Sequence, residues 1–167
     1  MSNEILPAVK EGTADIGIGV SERSRDVQIL PYVRDRLALV VSARHPLAKA
    51  EEVRFSDALD YDIIGLPERS GIQVFMRRVA QNSRKPMKSS VTVSSYEALC
   101  RMVAAGIGIG VIPERAASFY VETTSIRLVR LKDRSAVSDI NICIPGLRTL
   151  PDYAKAFVDL LQERAQQ

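Results

Sequence analysis

The sequence predicts an α/β fold with a mostly parallel sheet, and three observations carry that expectation. Helical and extended hydrophobic patterns alternate along nearly the whole 167-residue chain. Two extended runs lead into serine-opened helix starts: Asp62-Ile63-Ile64-Gly65-Leu66 precedes Ser70-Gly71-Ile72-Gln73, and Val91-Thr92-Val93 precedes Ser94-Ser95-Tyr96-Glu97. A composition of 46% hydrophobic and 26% charged residues is that of an ordinary globular protein. The length suits one large domain or two small lobes.

Taken in order, a first helix is expected from Asn3 to Glu11, burying Ile5, Leu6 and Val9 and stopping at Gly12. Asp15 to Val20 reads as a strand whose two glycines leave room for close backbone approach. Gln28 to Val33 and Leu37 to Val41 read as two further strands, separated by the charged Arg34-Asp35-Arg36. A polar stretch with Pro46 and a helical turn near Ser56 to Leu59 follow. The helix from Ser70 carries Ile72, Phe75, Met76, Val79 and Ala80 on one 3.6-residue stripe. The helix from Ser94 buries Ala98, Leu99, Met102 and Val103 and ends at Gly106. Ile107 to Ile112 reads as a buried strand, and Pro113 suits the first turn of a helix with Ala116, Ala117 and Tyr120. Ile126 to Leu131 and Ile140 to Ile144 are two more strands. The last helix starts near Pro151 and is expected to bury Tyr153, Phe157, Leu160 and Leu161.

Several function classes fall away. No apolar run approaches the ~20 residues of a membrane span. Met1-Ser2-Asn3-Glu4 lacks the basic and apolar stretches of a secretion signal, so a cytoplasmic location with no membrane partner is expected. Cys100 and Cys143 each sit in an apolar segment and read as buried free thiols. The net charge of +3 is modest and its basic residues are scattered, which makes Arg77, Arg78, Arg84 and Lys85 a solvated helix face.

Candidate chemistry is sparse. Gly106-Ile107-Gly108-Ile109-Gly110 has the wrong order for a dinucleotide fingerprint, since a helix precedes it and a strand contains it. His45, the only histidine, has no carboxylate or cysteine at triad or metal spacing, so neither a metal nor another cofactor is implied. The acid pairs Glu51-Glu52, Asp60-Asp62 and Asp133-Asp139 lie in polar stretches with nothing to raise a pKa. No catalytic constellation remains. What stands out is the repeated serine-opened start. Each reads as a capping box, with Ser70 or Ser94 accepting an amide and Gln73 or Glu97 reaching back. A serine there is first a cap, but two such helix ends facing one cleft make a site for a small anion.

With these segments placed, the chain resembles the effector-binding domain of a LysR-type transcriptional regulator. The resemblance rests on residues 11–18 (EGTADIGI), on Leu37-Ala38-Leu39-Val40-Val41 with Arg44-His45-Pro46-Leu47-Ala48, on Asp62-Ile63-Ile64 and on residues 103–113 (VAAGIGIGVIP). It covers nearly the whole chain. It implies two Rossmann-like lobes of the periplasmic-binding-protein type II kind. Lobe I would be residues 1–35 and 113–167, and lobe II residues 36–112, with an effector cleft between them. Gly19, Val20 and Ser21 would line that cleft from lobe I, and Gly65, Leu66, Pro67, Ser70, Gly71, Ser94, Ser95 and Tyr96 from lobe II. Serine hydroxyls and helix ends would hold a carboxylate, with Leu66 and Val20 on its apolar part.

The partners so implied are a small-molecule effector, a homodimer or homotetramer, and DNA only through a helix-turn-helix that this chain lacks. Lobe I is expected to be incomplete: the family's first βαβ unit, about 30 or more residues, has no counterpart here. The strand at Ile16 to Val20 would then offer an open edge to another chain. The competing functions are a solute-binding protein feeding a transporter and an enzyme acting on a carboxylic acid.

Overall fold

A computed structural model describes residues 2–21 and 24–165. Among the described residues six α-helices and eight β-strands follow in chain order: α1 (Ser2–Lys10), β1 (Gly17–Val20), β2 (Gln28–Ser42), β3 (Glu52–Val53), α2 (Phe55–Ala58), β4 (Ile63–Gly65), α3 (Gly71–Ser83), β5 (Ser89–Thr92), α4 (Tyr96–Ala104), β6 (Gly110–Pro113), α5 (Glu114–Val121), β7 (Ile126–Leu131), β8 (Val137–Ile144) and α6 (Asp152–Ala165). The chain divides into two compact units, one up to Arg34 together with Ser138 onward, the other from Asp35 to Val137. It crosses within β2 and returns at the start of β8. The return thus falls at 137/138 and not near residue 113, because β6 and β7 both pair with the second half of β2.

In the first unit β8 lies between β1 and β2, and β1 runs antiparallel to it with Gly17 opposite Cys143 and Ile18 opposite Ile142. One sheet face is covered by α1, where Ile5, Leu6 and Val9 meet Val27, Ile29 and Cys143. Gly17 makes this approach possible: a Cβ there would overlap the Ile5 side chain. Gly12, at φ +71°, ends α1 as its composition predicts. The other face belongs to α6, where of the four residues expected to be buried only Leu161 packs inward. Ala154, Val158 and Leu161 pack on Ile16, Leu30, Tyr32, Ile142 and Ile144. Tyr153, Phe157 and Leu160 are instead 70%, 46% and 45% exposed. Both stripes have helical spacing, and only the partner sheet decides between them.

In the second unit, the later half of β2 is flanked by β6 and β7, both antiparallel, while the short β3 runs parallel to β7. Leu39, Val40 and Val41 are fully buried there, which is why this strand reads as a continuous apolar run without alternation. A second pair, β4 and β5, is parallel. The sheets are therefore mixed, and the expected mostly parallel arrangement does not hold.

The two strands expected at 28–33 and 37–41 are also one. Residues Gln28–Ser42 run continuously, because each charged residue of the expected break finds a partner without leaving the strand. The Arg34 guanidinium donates to Asp139 at 2.7 and 3.3 Å, and Arg36 donates to the Leu131 carbonyl at 3.0 Å. The glycine stretch has three separate uses. Gly106, at φ +78°, follows the end of α4. A Cβ at Gly108 would lie 2.6 Å from the Asp62 carbonyl oxygen, and one at Gly110 would lie 2.5 Å from Leu99 Cδ2. Cys100 and Cys143 are both buried and free. Among the described residues, no helix is long and apolar enough to cross a membrane.

Candidate functional site

The second unit brings eight of the sequence-predicted site residues to one place, the C-terminal ends of β4 and β5. These strands lie side by side and parallel, with Gly65 opposite Thr92. Each leads through a short turn into a helix, so α3 and α4 begin at the same edge of the pair. Residues 63–66 are all buried, and the Leu66 side chain belongs to the hydrophobic core. Leu66 therefore presents its backbone to the site, and not the apolar contact expected of it.

The turn after β4 is closed by the Ser70 amide donating to the Pro67 carbonyl at 2.8 Å. Ser70, in extended conformation, caps α3: its hydroxyl oxygen accepts the Gln73 amide at 3.1 Å. The first half of the expected capping box is thus present, but the second is not. Gln73 turns inward, is 9% exposed, and its Oε1 accepts the Leu66 amide at 3.3 Å. Together with the Val93 amide donating to the Gly65 carbonyl at 3.0 Å, this fixes the Gly65–Leu66 backbone between α3 and the end of β5. Gly71 opens the helix, and a Cβ there would meet nothing within 4 Å.

The second helix start is displaced by one residue from its predicted position. Ser95, and not Ser94, caps α4, its hydroxyl oxygen accepting the Ala98 amide at 3.2 Å. Ser94 is exposed and one residue outside the cap. Glu97 does not reach back either, since Arg101 Nε donates to its carboxylate at 3.0 Å, an i,i+4 pair along the helix. Tyr96 is half-buried, and burial, reinforced by the nearby Asp35 carboxylate, pushes its phenol above the usual tyrosine range. It stays a neutral hydrogen-bond donor at physiological pH.

The first two amides of each helix, Gly71 and Ile72 in α3 and Tyr96 and Glu97 in α4, have no intrahelical acceptor by the geometry of a first turn. Each serine oxygen accepts a backbone amide, which leaves its hydroxyl proton to donate. Two positive helix-dipole ends, four amides and two hydroxyls thus follow the adjoining ends of β4 and β5, each a donor group suited to a carboxylate or phosphate. Ser89 and Thr92 join them: their hydroxyl oxygens would lie 3.0 and 3.3 Å from a Cβ on Gly65. Neither was singled out from sequence. The signal was there in Val91-Thr92-Val93, where alternation sets Thr92 on the face opposite its two apolar neighbours.

The remaining predicted residues lie in the first unit. Gly19 and Val20 end β1, and Ser21 follows, its hydroxyl oxygen accepting from Asn141 Nδ2 at 3.3 Å. His45 serves a local structural role. Its Nδ1 accepts the Leu47 amide at 3.2 Å, capping a 3-10 turn, and its ring meets Tyr61 edge-on at 4.5 Å.

Known proteins bear on this arrangement. The family model for the LysR substrate binding domain matches residues 1–166. A probable RuBisCO transcriptional regulator of Synechocystis is 26% identical over 157 residues, covering 90% of this chain and 46% of that protein. The HTH-type transcriptional regulator cbl of Escherichia coli is 28% identical over 149 residues, covering 87% of this chain and 45% of its own length. The chain thus spans about half the length of the relatives it matches.

Among solved structures, the Synechocystis CcmR regulatory domain in complex with 2-PG superposes with a TM-score of 0.83 at 16% identity, over 99% of this chain and 80% of that one. The effector binding domain of QuiR in complex with shikimate gives 0.77 at 21% identity, over 99% and 78%. Both likenesses concern the fold. The chain belongs to the LysR substrate-binding domain family.

Proposed function

We propose that this chain is the effector-sensing part of a transcriptional regulator, holding the charged group of a small organic anion at the paired starts of α3 and α4. One observation carries the reading: two serine-capped helix N-termini stand at the adjoining ends of neighbouring parallel strands, with Gly71 leaving open space at the first. The fold's use for shikimate in one relative and 2-PG in another, both small organic acids, supports an anionic effector. Gly19, Val20 and Ser21 belong to the proposal through the family resemblance, and Ser21→Ala tests their part by itself.

The role is binding and not catalysis, and the names of the relatives as transcriptional regulators support this. DNA contact belongs to another part of the regulator, which works in the cytoplasm as a homodimer or homotetramer. Thermal-shift screening against small organic acids, phosphorylated acids and amino acids tests the reading. A ligand-dependent rise in the melting midpoint is expected, diminished in Ser70→Ala and Ser95→Ala and retained in Ser94→Ala. A hit whose binding ignores both cap variants would sink the proposed site.

A further inference from the structure

We propose that Ser89, Thr92 and Gln73 form a neutral subsite beside the start of α3 that recognises a hydroxyl group, which makes the effector a hydroxy acid. The subsite presupposes the anion-holding role proposed above and adds a second contact with the same ligand.

An irregularity of strand pairing creates it. Ile63 lies opposite Ser89, but Ile64 lies opposite Val91 and Gly65 opposite Thr92, so the register skips one residue of β5. In a regular strand, residues three apart point to opposite faces. The extra residue instead puts Ser89 and Thr92 on one face, that of Gly65, as a bulge re-aims a side chain. A Cβ on Gly65 would lie 3.0 Å from Ser89 Oγ, 3.3 Å from Thr92 Oγ1 and 3.6 Å from Gln73 Oε1. Three polar ends thus converge on one glycine.

Each has hydrogen-bonding capacity to spare. Ser89 and Thr92 are exposed, and among the described residues neither hydroxyl has a hydrogen-bond partner. Two such hydroxyls alone would read as solvated; Gln73 sets the cluster apart. Its side chain is only 9% exposed, and the Leu66 amide, donating to Oε1 at 3.3 Å, fixes which end is oxygen. Its Nε2 has no acceptor among the described residues. No buried side-chain nitrogen or oxygen among those residues lacks a partner, so this nitrogen reaches open space. A donor left unpaired in a nearly buried side chain gains most from a ligand acceptor.

The chemistry of the trio selects the ligand group. None of the three side chains ionises, so nothing among them offsets the charge of an ammonium or of a second carboxylate. A hydroxyl fits instead: it accepts from the Gln73 amide while donating to a serine or threonine oxygen. Gln73 also stands in the first turn of α3, the turn whose Gly71 and Ile72 amides have no intrahelical acceptor. The hydroxyl recognised is therefore one close to the ligand's acid group.

Isothermal titration of the full 167-residue chain with matched small acids tests the subsite. Lactate and glycerate carry hydroxyls, propionate carries none, and alanine has an ammonium in that place. The hydroxy acids should bind about two- to tenfold more tightly than propionate or alanine. Ser89→Ala and Thr92→Val should each remove most of that preference, with propionate binding and circular dichroism unchanged, and Thr92→Ser should retain it. Ser70→Ala should weaken every acid alike. Propionate or alanine binding as tightly as lactate overturns the hydroxy-acid proposal, as does a preference that survives both Ser89→Ala and Thr92→Val. If Ser70→Ala weakens all the acids in either case, the anion reading stands and only the subsite falls. Acids that bind with no response to Ser70→Ala or Ser95→Ala overturn the anion reading, and the subsite with it.

Discussion

Gly110→Ala tests the packing argument for the glycine stretch most directly. Gly110 opens β6 opposite Val40, and the added methyl would sit 2.5, 2.9 and 3.0 Å from Cδ2, Cγ and Cδ1 of Leu99. Leu99 is fully buried on α4 and has no open side to retreat to. Forcing one methyl into such a core costs about 1–3 kcal/mol. The smaller conformational freedom of alanine in the unfolded chain returns about 0.4–1 kcal/mol. At the middle of both ranges the net loss is about 1.3 kcal/mol, which for a chain of this size lowers the melting midpoint by roughly 3–5 °C. Urea and thermal unfolding followed by circular dichroism measure it. A double-mutant cycle isolates the cause. Leu99→Ala alone costs about 2–5 kcal/mol, but in combination it opens the space the new methyl needs. The pair should therefore be less destabilised than the sum by about 1 kcal/mol or more. Strict additivity, or a Gly110→Ala protein as stable as its parent, would show that the close approach does not constrain this position.

Four further outcomes follow from the same geometry. Ser70→Ala and Ser95→Ala should each lose about 0.5–2 kcal/mol of stability in urea titrations, whereas Ser94→Ala should lose nothing, because only the first two are caps. Gly71→Ala should leave the unfolding midpoint unchanged, since its methyl meets nothing, yet weaken effector binding in the thermal-shift assay. Burial holds the His45 imidazole below the usual 6.5, so its folded pKa is depressed. Its contribution to stability is present above 6.5 and declines as the pH falls through the folded value, and a His45→Ala protein should lose that acid-side dependence. Cys100 is buried, which pushes its thiol up to about 11, and native protein should leave it unmodified by a thiol reagent until denaturant is added.

Much of the fold was legible in the sequence because local rules and tertiary packing agreed. The helix stop at Gly12, the strand Ile126–Leu131 and the α3 stripe of Ile72, Phe75, Met76 and Ala80 are cases in point. The failures occurred where packing chose between equal local options. On α6 the stripes 153/157/160 and 154/158/161 are both amphipathic, and the sheet of the first unit selects the second through Ile142 and Ile144. Three consecutive charges looked like a break at 34–36. The structure instead gives Arg34 and Arg36 distant acceptors, Asp139 and the Leu131 carbonyl, which no local window can reveal. Strand direction was misread for the same reason: alternating helices and strands suggest parallel crossovers, but β2 is flanked by two antiparallel neighbours brought from far along the chain.

The candidate site shows how far cap chemistry can be read without a structure. Serine before an apolar helical run located the start of α3 and came within one residue of the start of α4, because an unsatisfied first-turn amide needs an oxygen wherever the helix begins. At Ser94-Ser95 two such oxygens are adjacent, and the sequence rule preferred the one with glutamate three residues on. The helix chose Ser95, and Glu97 became a partner of Arg101. Gln73 shows the deeper reason. A polar side chain at the third helical position can return to its cap or turn inward, and the inward option gains when a buried amide nearby has no other acceptor. The Leu66 amide is such a group, held where β4 ends. Gln73 therefore belongs to the site's scaffold, fixing the loop whose Gly65 carries the Ser89 and Thr92 hydroxyls at its side. Gln73→Leu would separate the two roles. It leaves the Ser70 cap in place but orphans the Leu66 amide, a loss of about 1–3 kcal/mol. Effector binding should fall with it, even though no atom of the proposed anion-holding set has been removed. If binding survives a demonstrated loss of stability, the Gly65–Leu66 backbone is not part of the site.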